Sequence, residues 1–101
     1  IAAGTYTGTG TYGIDNKTTL TFAFPPKIVF IVKNCLNGTT VGATFLRDMT
    51  EYADNSSNTN STSAKIILSW SSNSVTWYTT ENNISRQLND LNAAYHYFAI
   101  G

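Results

Sequence analysis

Residues 24–34 read Phe-Pro-Pro-Lys-Ile-Val-Phe-Ile-Val-Lys-Asn, and no other stretch limits the fold as strongly. The two prolines end whatever precedes them, because proline fixes φ and has no N–H to give a ladder. The residues at 28–32 are all β-branched or aromatic and lie between Lys27 and Lys33, which predicts a strand. Side chains alternate along a strand, so Ile28, Phe30 and Val32 face one way while Val29 and Ile31 face the other. Both sets are apolar, and a strand apolar on both faces is covered on both faces. In a chain of 101 residues, a second subunit is a candidate for the second cover.

The rest of the chain supplies partners for this strand. Residues 4–13, GTYTGTGTYG, keep strict period two. They predict a strand with Thr5, Thr7, Thr9 and Thr11 on one face and Tyr6 and Tyr12 among glycines on the other. Those glycines leave room for a backbone or a large side chain to approach, or mark bulges in a twisted edge strand. Asp15-Asn16 signals a turn. Residues 19–24 alternate again, with Leu20, Phe22 and Phe24 inward and Thr19, Thr21 and Ala23 outward. Asn37-Gly38 is the strongest hairpin signal, joining 27–33 to a strand over 39–47 in which Val41, Ala43 and Phe45 share a face and Leu46 lies opposite.

Asp48 followed three residues later by Glu51 has the form of a capping box, which predicts one helical turn over 48–52. Residues 54–63 contain no apolar side chain and read as a long surface loop. Residues 64–71 and 74–80 predict a hairpin about Ser72-Asn73. Ile66, Leu68 and Trp70 share one face of its first strand; Val75 and Trp77 share a face of its second, with Tyr78 on the other. Residues 81–91 read as an irregular loop carrying a short turn. Residues 93–100 predict a final strand, Tyr95, Tyr97 and Ala99 alternating with His96, Phe98 and Ile100, again largely apolar on both faces. Six to seven strands at such spacing, with turn signals between them, predict an all-β fold: an antiparallel β-sandwich with short helical turns in its loops, a single domain over 1–101.

Composition removes several function classes. The formal net charge is zero and only 12% of residues are charged, so no basic stripe is available to track a phosphate backbone and nucleic-acid binding is disfavoured. No run approaches the ~20 apolar residues of a membrane-spanning helix, and no membrane insertion is expected. The start of the chain lacks the pattern of a signal peptide. It begins with Ile1 rather than Met, and the expectation is a fragment cut from a longer protein or a processed product. The single cysteine, Cys35, has no internal disulfide partner and reads as a small half-buried residue. The missing disulfides weaken the case for a small eukaryotic secreted domain. Threonine, serine and asparagine dominate the polar residues, giving a neutral surface rich in hydroxyls and amides.

Catalytic and metal chemistry find little support. The one histidine, His96, lies within an aromatic strand and reads as a core or interface residue, and no nucleophile elbow accompanies it. Asp48, Glu51 and Asp54 are spaced three apart, but the glycine and ligand spacing of a calcium loop is missing. They read as a capped turn with solvated acids. No cofactor is expected, and the chain does not read as an enzyme. Five Asn-x-Ser/Thr triplets, at Asn16, Asn37, Asn55, Asn60 and Asn83, arise by chance in so Asn-, Ser- and Thr-rich a chain. The aromatic residues Trp70, Trp77, Tyr78, Tyr95 and Tyr97 are more informative, because such rings stack on the apolar faces of sugars and suit interfaces. Trp70 and Trp77 share faces with core residues and read as core. Tyr78 lies off that face. With Asn82, Asn83 and Asn92, it is the candidate ligand contact, and the loops 48–63 and 81–92 are the candidate contact surfaces.

Three stretches taken together, GTYTGTGTYG, FPPKIVFIV and the closing YHYFAIG after Gln87-Leu88-Asn89, resemble C-terminal modules of bacteriophage tail-fibre and receptor-binding proteins. The resemblance spans most of the chain but leaves out 48–63. A looser similarity, carried by the strand pattern and the Phe-Pro-Pro-Lys-Ile-Val junction, is to H-type lectins, small sandwiches that trimerise and bind sugars; no sugar-binding triad of that family maps onto this sequence. What the resemblance implies is a virion-borne module at the end of a fibre, usually a homotrimer, that recognises a host cell-surface glycan without catalysis. The alternative is a structural module for trimerisation, capping or attachment of a fibre, without a sugar site. A glycan-cleaving enzyme is a distant third and would need paired carboxylates facing a groove.

Overall fold

The computed structural model describes residues 1–33, 42–52, 65–80 and 87–101. Cys35, the Asn37-Gly38 turn, Val41, the 54–63 stretch, Asn82 and Asn83 lie outside the described residues. Eight strands form: β1 (Ala2–Thr7), β2 (Thr18–Thr21), β3 (Ile28–Lys33), β4 (Gly42–Leu46), β5 (Glu51–Tyr52), β6 (Ile66–Trp70), β7 (Ser74–Thr79) and β8 (Ala94–Ile100). They make two four-stranded sheets, ordered β1-β8-β3-β4 and β2-β7-β6-β5, in which every pairing is antiparallel. The fold is therefore an all-β antiparallel sandwich, with no helix among the described residues.

Strand β3 lies at the interior of the first sheet, paired with β8 on one side and β4 on the other. Its register sets Val29 between Phe45 and Ala99, and Ile31 between Ala43 and Tyr97. Val29 and Ile31 are wholly buried, so of the two apolar faces it is theirs that enters the core. The second sheet contributes Leu20, Ile66, Leu68, Val75 and Trp77 to the same core. The two inner faces meet through aromatic rings. Phe45 lies 5.2 Å from Trp77, and Phe22 meets Tyr97 edge-on at 5.8 Å. Each such side chain, once fully buried, contributes about 1.5–3 kcal/mol. The hairpin about Ser72-Asn73 forms as its turn chemistry predicts, closed by a bond from Ser71 N–H to Ser74 O.

Two features depart from the sequence reading. First, the opening strand stops at Thr7 rather than running to Gly13. Gly8 is buried with its Cα facing the Asp90 carbonyl, and any β-carbon there would collide with that oxygen. The chain then leaves the sheet through Gly10 (φ 78°) and Gly13 (φ 89°), left-handed positions open to glycine without steric cost. Second, the helical turn expected over 48–52 does not form. Asp48 adopts φ 73° inside a tight turn, closed by Met49 N–H to Leu46 O, so it cannot cap a following turn. Glu51 and Tyr52 then pair with β6. The outer face of β3, for which a second subunit is the candidate cover, has none among the described residues: Phe30 and Val32 are 38% and 48% exposed.

Candidate ligand-binding site at one end of the sandwich

Two segments without regular structure, 8–17 and 87–93, close one end of the sandwich. Between them sits a polar hub. Leu88 is buried yet adopts φ 60°, a conformation that costs roughly 1–2 kcal/mol for a residue with a Cβ. The side chains on either side of it, Gln87 and Asn89, are both buried. Gln87 Oε1 accepts bonds from the N–H groups of Gly13 (2.8 Å) and Thr79 (3.0 Å) and from Thr79 Oγ1 (3.2 Å). Its Nε2 donates to Asn16 O (2.7 Å) and Thr18 Oγ1 (3.2 Å), and its backbone carbonyl accepts from Trp77 Nε1 (2.7 Å). Asn89 Oδ1 accepts from Thr9 N–H at 3.0 Å, and Nδ2 donates to Thr9 Oγ1 and Thr11 O at 2.8 and 2.9 Å. Loop 9–16 thus gets from two buried amides the partners that a ladder would otherwise provide.

Aromatic stacking stiffens the same region. Tyr6 stacks on Tyr95 at 5.0 Å with planes 11° apart. Its hydroxyl donates to Leu88 O at 2.9 Å, while Tyr95 Oη accepts from Asp90 N–H at 3.0 Å. Burial, together with the neighbouring Tyr95, pushes the Tyr6 phenol well above the ordinary tyrosine range, so it stays a donor to Leu88 throughout the accessible pH range. Asp90 in turn forms an ion pair with Lys33 at 2.5 Å, tying 87–93 to the end of β3.

The outer side of this end carries two adjoining hollows. A cleft of about 270 Å³ runs between the edge strands β1 and β2. Tyr6 and Leu20 are the large apolar residues lining it; the hydroxyl-bearing Thr9, Thr11 and Thr18 and the cation Lys17 also line it. A more open hollow of about 490 Å³ lies within the curve of 10–16, with Tyr12, Ile14, Asp15 and Asn16 among its walls. Thr11 borders both. Hydroxyls, amides, one ammonium and a partly exposed tyrosine can bond a polyol and stack on its apolar face. Among the described residues, no group of three His, Cys, Asp or Glu side chains could hold a metal ion.

The structure distributes the sequence-predicted residues unevenly. Tyr78 is half-buried on the outer face of β7, opposite Ile67. Lys17 Nζ sits 5.6 Å from its ring centroid, so Tyr78 touches the rim of the cleft through Lys17. Asn92 is exposed at φ 62°, and its N–H donates to Gly8 O at 2.9 Å. Asparagine tolerates that left-handed position, which accounts for it without a ligand. Tyr78 belongs to the second sheet and Asn92 leads into the first, and no contact joins them among the described residues. Trp77 is core. Trp70 is half-buried, its Nε1 bonded to Met49 O at 2.9 Å and its face beneath Arg47 at 5.3 Å. His96 is exposed on the outer face of β8, opposite Thr5 and Val32. Of the acids, Glu51 pairs with Lys65 at 3.3 Å and Asp48 points to solvent.

The residues that build the hollows, Thr9, Thr11, Tyr12, Lys17 and Thr18, are not those singled out by sequence. Their threonine periodicity was visible, but it reads as a strand face until the stop at Gly8 is known. Comparison of the chain with protein-family models, with curated proteins and with solved structures gives no match.

Proposed function

We propose that this chain is a tail-fibre or receptor-binding module of a bacteriophage, carried on the virion, that recognises a host cell-surface glycan through the end formed by 8–17 and 87–93. The observation that carries this reading is the hydroxyl-lined cleft beside Tyr12. Its loop is held by buried amides before any ligand arrives, and a preorganised loop loses little entropy on binding. The resemblance of the opening, central and closing stretches to fibre modules supplies the setting. The reading is binding rather than catalysis, because among the described residues Asp15 is the only acid lining the two hollows and glycoside cleavage ordinarily uses two carboxyl groups. A site of this size binds weakly by itself, and repetition along a fibre would raise its avidity.

The test is binding of the fluorescently labelled domain to a panel of bacterial strains and their extracted surface polysaccharides. Binding to some strains, competed by their own polysaccharide, is expected. Tyr12→Ala should weaken it about tenfold, the worth of a stacked ring, and Tyr78→Ala by less. Uniform absence of binding by a folded domain would overturn the reading.

The structural alternative has its own support in the outer face of the first sheet. Phe30, Val32, Leu46 and Phe98 are all more than one-third exposed there, Phe30 and Phe98 lie 6.4 Å apart, and Ile28 pairs with Leu46 and Ile100 beside them. Contiguous apolar surface of this kind marks an interaction site, and three copies around an axis would cover it. A homotrimer fits either reading. Light scattering is expected to give three times the 11.0 kDa chain mass. Phe30→Ser with Phe98→Ser should return the monomer with its fold intact, since interface aromatics cost about 2 kcal/mol or more each when removed. A monomeric wild-type domain at high concentration would refute the trimer.

A further inference from the structure

We propose that the cleft between β1 and β2 takes an acidic sugar, one carrying a phosphate or carboxylate group, with Lys17 as its counter-charge. This rests on the glycan reading above and assigns the ligand's chemical class. Among the described residues, Lys17 is the only charged one lining the cleft. Lys33, Arg47 and Lys65 each have a carboxylate within 4.0 Å, whereas Lys17 and Lys27 have none among the described residues, and of these two only Lys17 lines the cleft. Its ammonium is held instead over the Tyr78 ring, which positions the charge at the rim without neutralising it. Asp15 lines the neighbouring hollow and is not among the residues of this cleft.

The hydroxyls point to the same class. A hydroxyl has one proton and two lone pairs. Asn89 Nδ2 donates to the oxygens of Thr9 (2.8 Å) and Thr11 (3.2 Å), and Gln87 Nε2 donates to that of Thr18 (3.2 Å). The amide orientations are unambiguous, because Oδ1 of Asn89 and Oε1 of Gln87 accept from backbone N–H groups. The amides therefore occupy lone pairs of the threonine oxygens and leave the protons. Thr9 and Thr11 share one bond at 2.9 Å, which uses one of their two protons. One proton from that pair and the Thr18 proton remain. Two O–H donors and an ammonium thus belong to residues lining a cleft whose volume suits a single sugar unit, and ionised acceptors make the stronger bonds to such donors.

The experiment is an NMR titration of the ¹⁵N-labelled 101-residue chain with glucose 1-phosphate, glucuronic acid, glucose and inorganic phosphate. Glucose 1-phosphate or glucuronic acid is expected to shift the amide resonances of 9–19, about tenfold more tightly than glucose, and less tightly as salt is raised. The stronger of the two identifies phosphate or carboxylate as the recognised group. Lys17→Gln should remove that advantage, and Lys17→Arg should keep most of it. Glucose binding as tightly as both acids, unchanged by Lys17→Gln, would overturn the charge assignment while leaving the glycan reading standing. Inorganic phosphate binding as tightly as glucose 1-phosphate would show an ion site and not a sugar site. Polysaccharide that binds the domain while neither acid perturbs 9–19 would place the ligand elsewhere and sink the inference alone. Silence in both assays would end both.

Discussion

Trp77→Ala is expected to remove about 3–5 kcal/mol of folding stability, the range for truncating a buried large aromatic. Trp77 is fully buried, meets Phe45 at 5.2 Å and Tyr6 at 6.4 Å, and so joins the two sheets at the centre of the sandwich. Its indole N–H also holds the Gln87 carbonyl, so the variant leaves a buried acceptor without its donor. Domains of this size have roughly 5–15 kcal/mol in total. The loss is therefore a large fraction of the whole and should lower the thermal midpoint by well over 10 °C. Trp77→Phe separates the two contributions, since it keeps most of the ring and loses the hydrogen bond. It should cost about 1–2 kcal/mol. Urea denaturation of the three proteins measures both, and a Trp77→Ala variant within about 1 kcal/mol of the parent would show that the two sheets do not pack through this ring.

Gln87→Leu is expected to be nearly as damaging, for a different reason. The apolar replacement fills similar volume but strips partners from Gly13 N–H, Thr79 N–H and Asn16 O in one step. A buried group that loses its partner costs about 1–3 kcal/mol; the Thr79 bond is buried and those to Gly13 and Asn16 are part-buried, so relief by water or loop movement sets the expected total near ~3 kcal/mol. The loss should be local. Amide exchange at Gly13 and Thr79 should accelerate strongly while Val29 and Ile31, in the first sheet, remain protected. Ligand affinity should fall with the loosening of 9–16. Uniform acceleration across both sheets would mean that Gln87 supports the whole fold rather than this one end.

Strand content was readable where a side chain's own neighbours in sequence decide its environment. The alternation in 19–24, 66–70 and 74–79 names the buried face of each strand correctly, because one residue of slip would turn apolar side chains to water; in 28–33 and 94–100 it offers two apolar faces and does not choose between them. The failures share a cause. Gly8 ends β1 because Asp90, 82 positions away, brings its carbonyl against it, and no local pattern encodes such a contact. Gln87 and Asn89 sit in a polar stretch that reads as solvent-facing, yet both are buried, since the groups they satisfy lie in 9–18 and in β7. Asp48 and Glu51 match a capping box letter for letter, but pairing of β5 with β6 overrides the helical turn. The candidate site is built almost wholly from such long-range pairings. Tyr78 could be picked out from its place off the core face, and Lys17 and the threonines could not.

Strands β1 and β8 are direct neighbours, with Ala2 opposite Ala99, so both extremities of the domain lie side by side. β1 then runs away from them for six residues, about 20 Å at the usual rise, before the chain enters 8–17. A module hung from a shaft through either extremity would hold its threonine-lined cleft on the far side, pointing along the axis like the tip of a probe. Orientation would then come from the pairing of two strands, and no hinge or extra domain would be needed to turn the cleft outward.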